Sequence, residues 1–289
     1  MNYVPSLEKS FRPMIVELRK FKEKATVPFA ICVERQNGYR YRYELNVLPG
    51  DNEENYEMIE RVIKSILWVV GGFKIYLGGN DYICKKMQEV FSLGGKRNFD
   101  VDFMQKVYDQ KFEVVPCTLE EVPASIEASL PAGGNLDGCR IGFDAGGSDR
   151  KVSAVVNGEV IFSKEVVWFP KTNEDPKYHY EGILDSFRLA ASKMPRVDAI
   201  GVSSAGIYID NEVRVASLFI KVPQDKFDAE VRDMYIRAAK EYGDVPLTVA
   251  NDGDVTALAG SISLKSGKVL GIAMGTSEAV GYVNKDGNL

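Results

Sequence analysis

Histidine is almost missing from this 289-residue chain: His179 stands alone, and the four cysteines, Cys32, Cys84, Cys117 and Cys139, are scattered. No pair of them has C-x-x-C spacing, so neither a structural zinc nor a cysteine-held iron–sulfur centre is supported. Scattered free thiols fit a reducing compartment, and the expectation is a cytoplasmic protein. Basic charge is not in excess either: the formal net charge is −5, which argues against a nucleic-acid partner held by a basic surface. The basic stretch Arg19-Lys20 with Lys22 and Lys24 alternates with Glu17 and Glu23 and reads as a solvated helix face. Long apolar runs are lacking. The longest, Ile66 to Phe73, is too short to span a bilayer and has Lys64 and Lys74 close by. Met1 to Ser10 has no apolar segment of the signal-peptide kind. No membrane association is expected, and internal repeats and low-complexity tracts are missing.

What remains is ordinary globular composition, 45% hydrophobic and 27% charged, on a chain long enough for two domains. Met14, Ile15, Leu18 and Phe21 share one face of a helix over residues 12–25, with Pro13 in its first turn. Phe29 to Val33 and Tyr39 to Val47, joined by Gln36-Asn37-Gly38, form a hairpin. The alternation Tyr39-Arg40-Tyr41-Arg42-Tyr43 reads as a strand with one buried and one wet face. An amphipathic helix from Tyr56 to Val70 precedes Phe73-Lys74-Ile75-Tyr76-Leu77-Gly78-Gly79 and a helix from Tyr82 to Phe91, an ordinary strand-to-helix turn. Small and turn-forming residues at Pro131-Ala132-Gly133-Gly134-Asn135 mark a boundary. Beyond it, helices from His179 to Lys193 and from Lys226 to Tyr242 alternate with strands at Val197 to Val202 and Leu247 to Ala250, implying a partly parallel sheet flanked by helices.

Leu136 to Phe162 is the most informative stretch. Ile141-Gly142-Phe143 runs into Asp144-Ala145-Gly146-Gly147-Ser148. Val152, Ala154 and Val156 then alternate up to Asn157-Gly158, a strong hairpin signal. A Gly-Gly-Ser turn leaves backbone N–H groups open to phosphate oxygens, and a carboxylate beside it can hold magnesium through water. Farther on, Leu247-Thr248-Val249-Ala250 ends at Asn251-Asp252-Gly253-Asp254 and a helical run follows. Asp252 thus lies where a strand ends and a helix begins, as ligand sites of open α/β sheets do, although an acidic residue there is often only a helix cap. Val269 to Val283 is again strand, glycine turn and strand, through Gly275-Thr276-Ser277.

The order of these motifs resembles the actin, hexokinase and heat-shock chaperone superfamily, and most of all its ROK (repressor, ORF, kinase) branch of sugar kinases and sugar-responsive regulators, over residues 138–289. The resemblance matches the phosphate 1 hairpin to Asp144-Ala145-Gly146-Gly147-Ser148, the catalytic Asn-Asp to Asn251-Asp252, and the phosphate 2 hairpin to Gly275-Thr276-Ser277. Val197 to Gly206 is similar to the strand and turn that line the sugar pocket. The chain departs from the family in several places. Its phosphate 2 turn is poorer in glycine and is followed by Glu278, Ala205-Gly206 stands for a Pro-Gly, a sugar-contacting Asn is replaced near Ser217-Leu218-Phe219, and the zinc cluster is missing.

The resemblance implies an α/β fold: an actin-like (ribonuclease H-like) ATPase lobe with a mixed sheet flanked by helices over residues 136–262, and the start of a second lobe over 263–289. Residues 1–135 form a separate α/β region of unassigned role, and the second lobe is incomplete in the sequence. The activity implied is ATP-dependent phosphoryl transfer to a hydroxyl of a sugar or polyol. In it Asp252 is the base; Asn251, Ser204, Ala205 and Gly206 bind substrate; Gly146, Gly147, Ser148, Gly275, Thr276 and Ser277 cradle phosphates; and Asp144 organises magnesium. Arg150 and Lys151 read as solvated bases on a hairpin edge rather than phosphate ligands. The alternatives are a non-catalytic sugar- or nucleotide-sensing relative and an activator-type ATPase. Homo-oligomerisation is left open.

Overall fold

The computed structural model describes residues 6–9, 11–50, 53–127, 129, 131–274 and 278–289. The chain divides into two compact units, Met1–Ala128 and Ser129–Leu289, and each has its own hydrophobic core. The elements of the first are α1 (Met14–Lys24), β1 (Val27–Glu34), β2 (Arg40–Val47), α2 (Glu53–Val69), β3 (Lys74–Gly78), α3 (Asp81–Val90), α4 (Asn98–Tyr108) and β4 (Glu113–Cys117). They build a sheet of order β2-β1-β3-β4 in which only β3 and β4 run parallel. Asn37 and Gly38 turn the first hairpin with φ of 59° and 73°, values an Asn-Gly pair accepts at little cost. Phe29, Ile31 and Val33 of β1 pack with Ile59, Ile63 and Leu67 of α2 and with Ile83 and Met87 of α3. In β2 the expected alternation holds. Tyr41 and Tyr43 pack on that core, while Arg42 bonds the Val122 carbonyl and Glu44.

The second unit opens on a meander, β5 (Cys139–Ala145), β6 (Asp149–Val156) and β7 (Glu159–Val167), followed by α5 (Pro176–Ala191) and β8 (Ala199–Ser204). Next come the ribbon β9 (Ile207–Ile209) and β10 (Glu212–Val215), the short α6 (Gln224–Lys226), α7 (Met234–Lys240), β11 (Leu247–Ala250), α8 (Asp252–Leu264), β12 (Val269–Met274) and β13 (Glu278–Val283). The main sheet has the order β11-β8-β5-β6-β7, with β6 antiparallel to its neighbours and β5, β8 and β11 parallel. Counted from β5 this is the order 3-2-1-4-5 with the second strand reversed, the topology of a ribonuclease H-like lobe. The fold is therefore mixed α/β with mixed sheets flanked by helices, as the resemblance implies.

Local chemistry explains most of the elements. Asn157 and Gly158 close β6 onto β7 with φ of 50° and 84°. Asp175 caps α5 by accepting the Lys177 N–H at 3.0 Å, and Pro176 occupies the first turn. Alternation along β5 buries Cys139, Ile141, Phe143 and Ala145. Phe143 meets Phe187 of α5 edge-on at 5.5 Å. Arg140, Gly142 and Asp144 turn to the opposite face. There, with Gly201 and Ser203 of β8 and Thr248 of β11, they line a cleft of about 590 Å³.

One expected element is broken. The helix predicted over Lys226 to Tyr242 consists of α6, a π-helical turn at Phe227–Val231 and α7. The physical reason lies at Arg232, whose carbonyl accepts the Val213 N–H of β10 at 2.8 Å while its own N–H reaches Phe227 O at 3.3 Å. A carbonyl drawn toward a neighbouring strand, together with an N–H that reaches five residues back, replaces the regular α-helical ladder with a π turn.

Candidate functional site

The parallel strands β5, β8 and β11 end side by side, and Asp144, Gly146, Gly147, Ser148, Ser204, Ala205, Gly206, Asn251 and Asp252 lie at or next to that carboxyl edge, where a doubly flanked sheet places its ligands. Asp144 is the penultimate residue of β5, in register with Ser203 of β8. Ser203 donates a side-chain hydrogen bond to it. The Asp144 side chain is 45% exposed and lies 3.9 Å from the Lys151 ammonium. Burial raises its pKa above the ordinary carboxylate value. Asp149 and Asp252 push in the same direction and Lys151 opposes them. The Asp252 charge acts on Asp144, so the two carboxylates named from the sequence lie within electrostatic reach of each other.

Asp252 is the first residue of α8, but the cap is its neighbour: Asn251 Oδ1 accepts the Gly253 N–H at 2.8 Å. The other end of that amide, Nδ2, donates to Gly206 O at 2.8 Å. Asn251 therefore ties the start of α8 to the turn after β8, keeping one amide hydrogen and one oxygen lone pair for a ligand. Gly206 has a φ of 148°, and a Cβ there would stand 2.6 Å from Val215 O. Only glycine fits that turn. Ser204 is 1% exposed and its hydroxyl lies 3.3 Å from Ala145 O, so it fastens β8 to β5 from the buried side. Ala205 offers its carbonyl to the Tyr208 hydroxyl at 3.4 Å. Burial raises the Tyr208 pKa well above normal and takes that of fully buried Tyr235 to about 12. Both phenols stay protonated at neutral pH. Asp254, two residues into α8, is raised by burial and by the Asp252 charge.

The turn Gly146-Gly147-Ser148 joins β5 to β6, with Gly147 and Ser148 exposed. It is held from behind. Trp168 donates its indole N–H to Gly146 O at 2.8 Å and its backbone N–H to Ser148 O at 3.1 Å, so two carbonyls of the turn are engaged by one residue. Lys151 pairs with Asp149. Arg150 points into the protein, bonding Gly182 O and the Ser186 hydroxyl of α5. Gly275, Thr276 and Ser277 lie outside the described residues. The strands on either side of them, β12 and β13, pair from Val269↔Val283 to Met274↔Glu278 and pack on α8.

Sequence reasoning missed three contributors. Ser203 was legible from parity: Ile200, Val202 and Ser204 alternate inward, so Ser203 shares the face of Asp144. Trp168 gave no signal, because its partner is a backbone carbonyl. Lys171 also gave none, yet the end of its side chain occupies the space a Cβ on Gly147 would fill.

Among the described residues no cluster of three or more His, Cys, Asp or Glu side chains could hold a metal by itself. A magnesium ion bound through phosphates and water needs only one or two protein carboxylates, and Asp144, in a neighbourhood with more carboxylates than cations, fits that demand. Among the described residues no helix is long and apolar enough to cross a membrane.

No protein-family model matches the chain, and no curated protein does. Solved structures similar to it include a candidate N-acetylmannosamine kinase from Listeria monocytogenes, at 18% identity over 52% of this chain and 49% of that one, with a TM-score of 0.41. Another is the ROK hexokinase of Thermus thermophilus, at 18% identity over 52% and 48%, with a TM-score of 0.38. A third is a ROK-family transcriptional regulator homologous to Escherichia coli Mlc, at 17% identity over 54% and 39%, with a TM-score of 0.38. The chain spans about half the length of the two kinases and 39% of the regulator.

Proposed function

We propose that residues 129–289 form a phosphoryl-transfer lobe that passes the γ-phosphate of ATP to a hydroxyl of a sugar or related polyol. The observation that carries this reading is the gathering of Asp144, Asp252 and a Gly-Gly-Ser turn at the carboxyl edge of parallel strands. Asp252 stands at the helix start and accepts the proton of the attacking hydroxyl. Asn251, anchored through Gly206 and Gly253, orients a neighbouring hydroxyl with its remaining amide hydrogen. Gly206 and Ala205 shape the wall of the pocket, and Ser204 fixes that wall to β5. Gly146, Gly147 and Ser148 present N–H groups to phosphate oxygens, with Gly275, Thr276 and Ser277 assigned the facing cradle. Asp144 would hold the hydrated Mg²⁺, which neutralises phosphate charge when bound. Phosphoryl transfer depends mainly on positioning and charge stabilisation, so these groups suffice without a covalent nucleophile.

The test is ADP release with Mg-ATP across a panel of sugars and polyols. Sugar-dependent release is expected, and Asp252→Asn should lower kcat by about 10²–10⁴-fold, the range for losing a general base. Release unaffected by Asp252→Asn would remove Asp252 from the mechanism. Ligand binding without turnover would instead select the sensing alternative. Sugar-independent hydrolysis would select an ATPase.

A further inference from the structure

Three cations surround the Gly146-Gly147-Ser148 turn, and two are already committed. Arg150 is spent on Gly182 O and Ser186, with its guanidinium stacked 5.9 Å from the Trp168 ring centre. Lys151 is neutralised by Asp149 and by Asp144. The third, Lys171, has no carboxylate partner among the described residues, and it reaches the turn itself. A Cβ built on Gly147 would lie 2.7 Å from Lys171 Cε and 2.8 Å from its Nζ. The missing side chain at Gly147 leaves the space that the end of the Lys171 side chain fills.

The segment that carries Lys171 is fixed to the same turn. Trp168, three residues earlier, bonds Gly146 O and Ser148 O. Pro170 is buried, and its carbonyl lies 2.9 Å from Nε2 of His179, the single histidine of the chain, which is itself fully buried. The same ring contacts Leu218 O at 3.2 Å and Asp175 O at 3.1 Å. With its proton on Nε2, the fully buried imidazole donates one N–H shared between Pro170 O and Leu218 O, tying the short turn at Pro170–Thr172 to the loop after β10. The lysine projects from a rigid base, so little backbone freedom is lost when it engages a ligand.

We infer that Lys171 is a phosphate-binding residue of this site, supplying the positive charge that the glycine turn lacks, and that His179 positions it. The inference rests on the phosphoryl-transfer reading and extends it to a residue of the strand-to-helix connection. An ammonium over a glycine turn converts a neutral cradle of N–H groups into a site for a polyphosphate, and charge-assisted bonds to phosphate are stronger than neutral ones. The effect is electrostatic and therefore weakens with ionic strength.

Binding of Mg-ATP and of magnesium tripolyphosphate, measured by calorimetry on the full chain, tests this. Wild type, Lys171→Ala, Lys171→Arg and Asp252→Asn should be compared. Lys171→Ala should weaken both ligands by about 10- to 100-fold, with unchanged circular dichroism and melting temperature because the side chain is exposed. Lys171→Arg should retain most of the affinity, and Asp252→Asn should bind like wild type while losing turnover. Equal affinity of wild type and Lys171→Ala overturns the inference and leaves the phosphoryl-transfer reading standing. Binding of neither ligand by wild type overturns both.

Discussion

At Asp144 the fold holds a carboxylate against its preference, because burial and the Asp149 and Asp252 charges outweigh Lys151. A carboxyl whose folded pKa is raised contributes stability that is complete below its unfolded pKa and is lost as pH rises through the folded value. Asp144→Asn should therefore melt slightly higher than wild type at pH 7–8, by about 1–2 °C once discounted for its exposed side chain. The gap should close near pH 3–4, where the unfolded carboxyl is also protonated. A melting temperature lower than wild type at neutral pH would mean that Lys151 dominates. At this scale the sequence marks Asp144, Asn251 and Asp252 through their positions at strand ends. Ser203 and Ser204 show why such reading stays partial: both are small and polar, and only their parity relative to Ile200 and Val202 separates the one beside Asp144 from the one beneath the sheet. Lys171 was out of reach, since nothing in its own neighbourhood says which distant glycine it will cover.

Among the elements, those set by local chemistry were legible. Asn37-Gly38 and Asn157-Gly158 announce hairpins because few residue pairs tolerate positive φ twice in succession. The interruption between α6 and α7 was not, because it is imposed by β10 through the Arg232 carbonyl. The glycines of the last hairpin carry a second meaning that the pattern strand-glycine-strand conceals. A Cβ on Gly271 would run into the Ala257 backbone, one on Gly281 into that of Asp254, and one on Gly253 would stand 2.7 Å from Val280 N. Helix and hairpin meet backbone to backbone, so α8 is held where its first residue, Asp252, can serve the site. Gly281→Ala should cost about 1–3 kcal/mol, the range for overpacking a close contact, readable in urea unfolding. Ala at Gly201 of β8, which is exposed and where a Cβ meets nothing within 4 Å, should change stability by no more than about 1 kcal/mol. Equal costs at the two positions would mean that the α8 contact is looser than described.

Over the whole molecule, composition and the alternation of helix and strand were enough to anticipate a mixed α/β chain, and the motif order anticipated the ribonuclease H-like lobe. The four-stranded sheet of the first unit, with β3 and β4 parallel among antiparallel pairs, was not foreseeable from hairpin signals, which report neighbours in sequence only. The same distinction between near and far contacts governs how the second unit assembles. The meander β5–β7 closes through short turns, whereas the Ser204 bond to Ala145 spans 59 positions and the Asn251 bond to Gly206 spans 45. Closing a longer loop costs more chain entropy before any contact rewards it. In pulse-labelled refolding, amides of β6 and β7 should gain protection before those of β8 and β11; simultaneous protection of all four strands would rule this order out. A chain caught midway would have its Gly-Gly-Ser turn closed while Asp252 was still unplaced. Asn251 and Asp252 are thus expected to reach their places late, and a native bond from Asn251 to Gly206 reports that the strands on either side of it have already met.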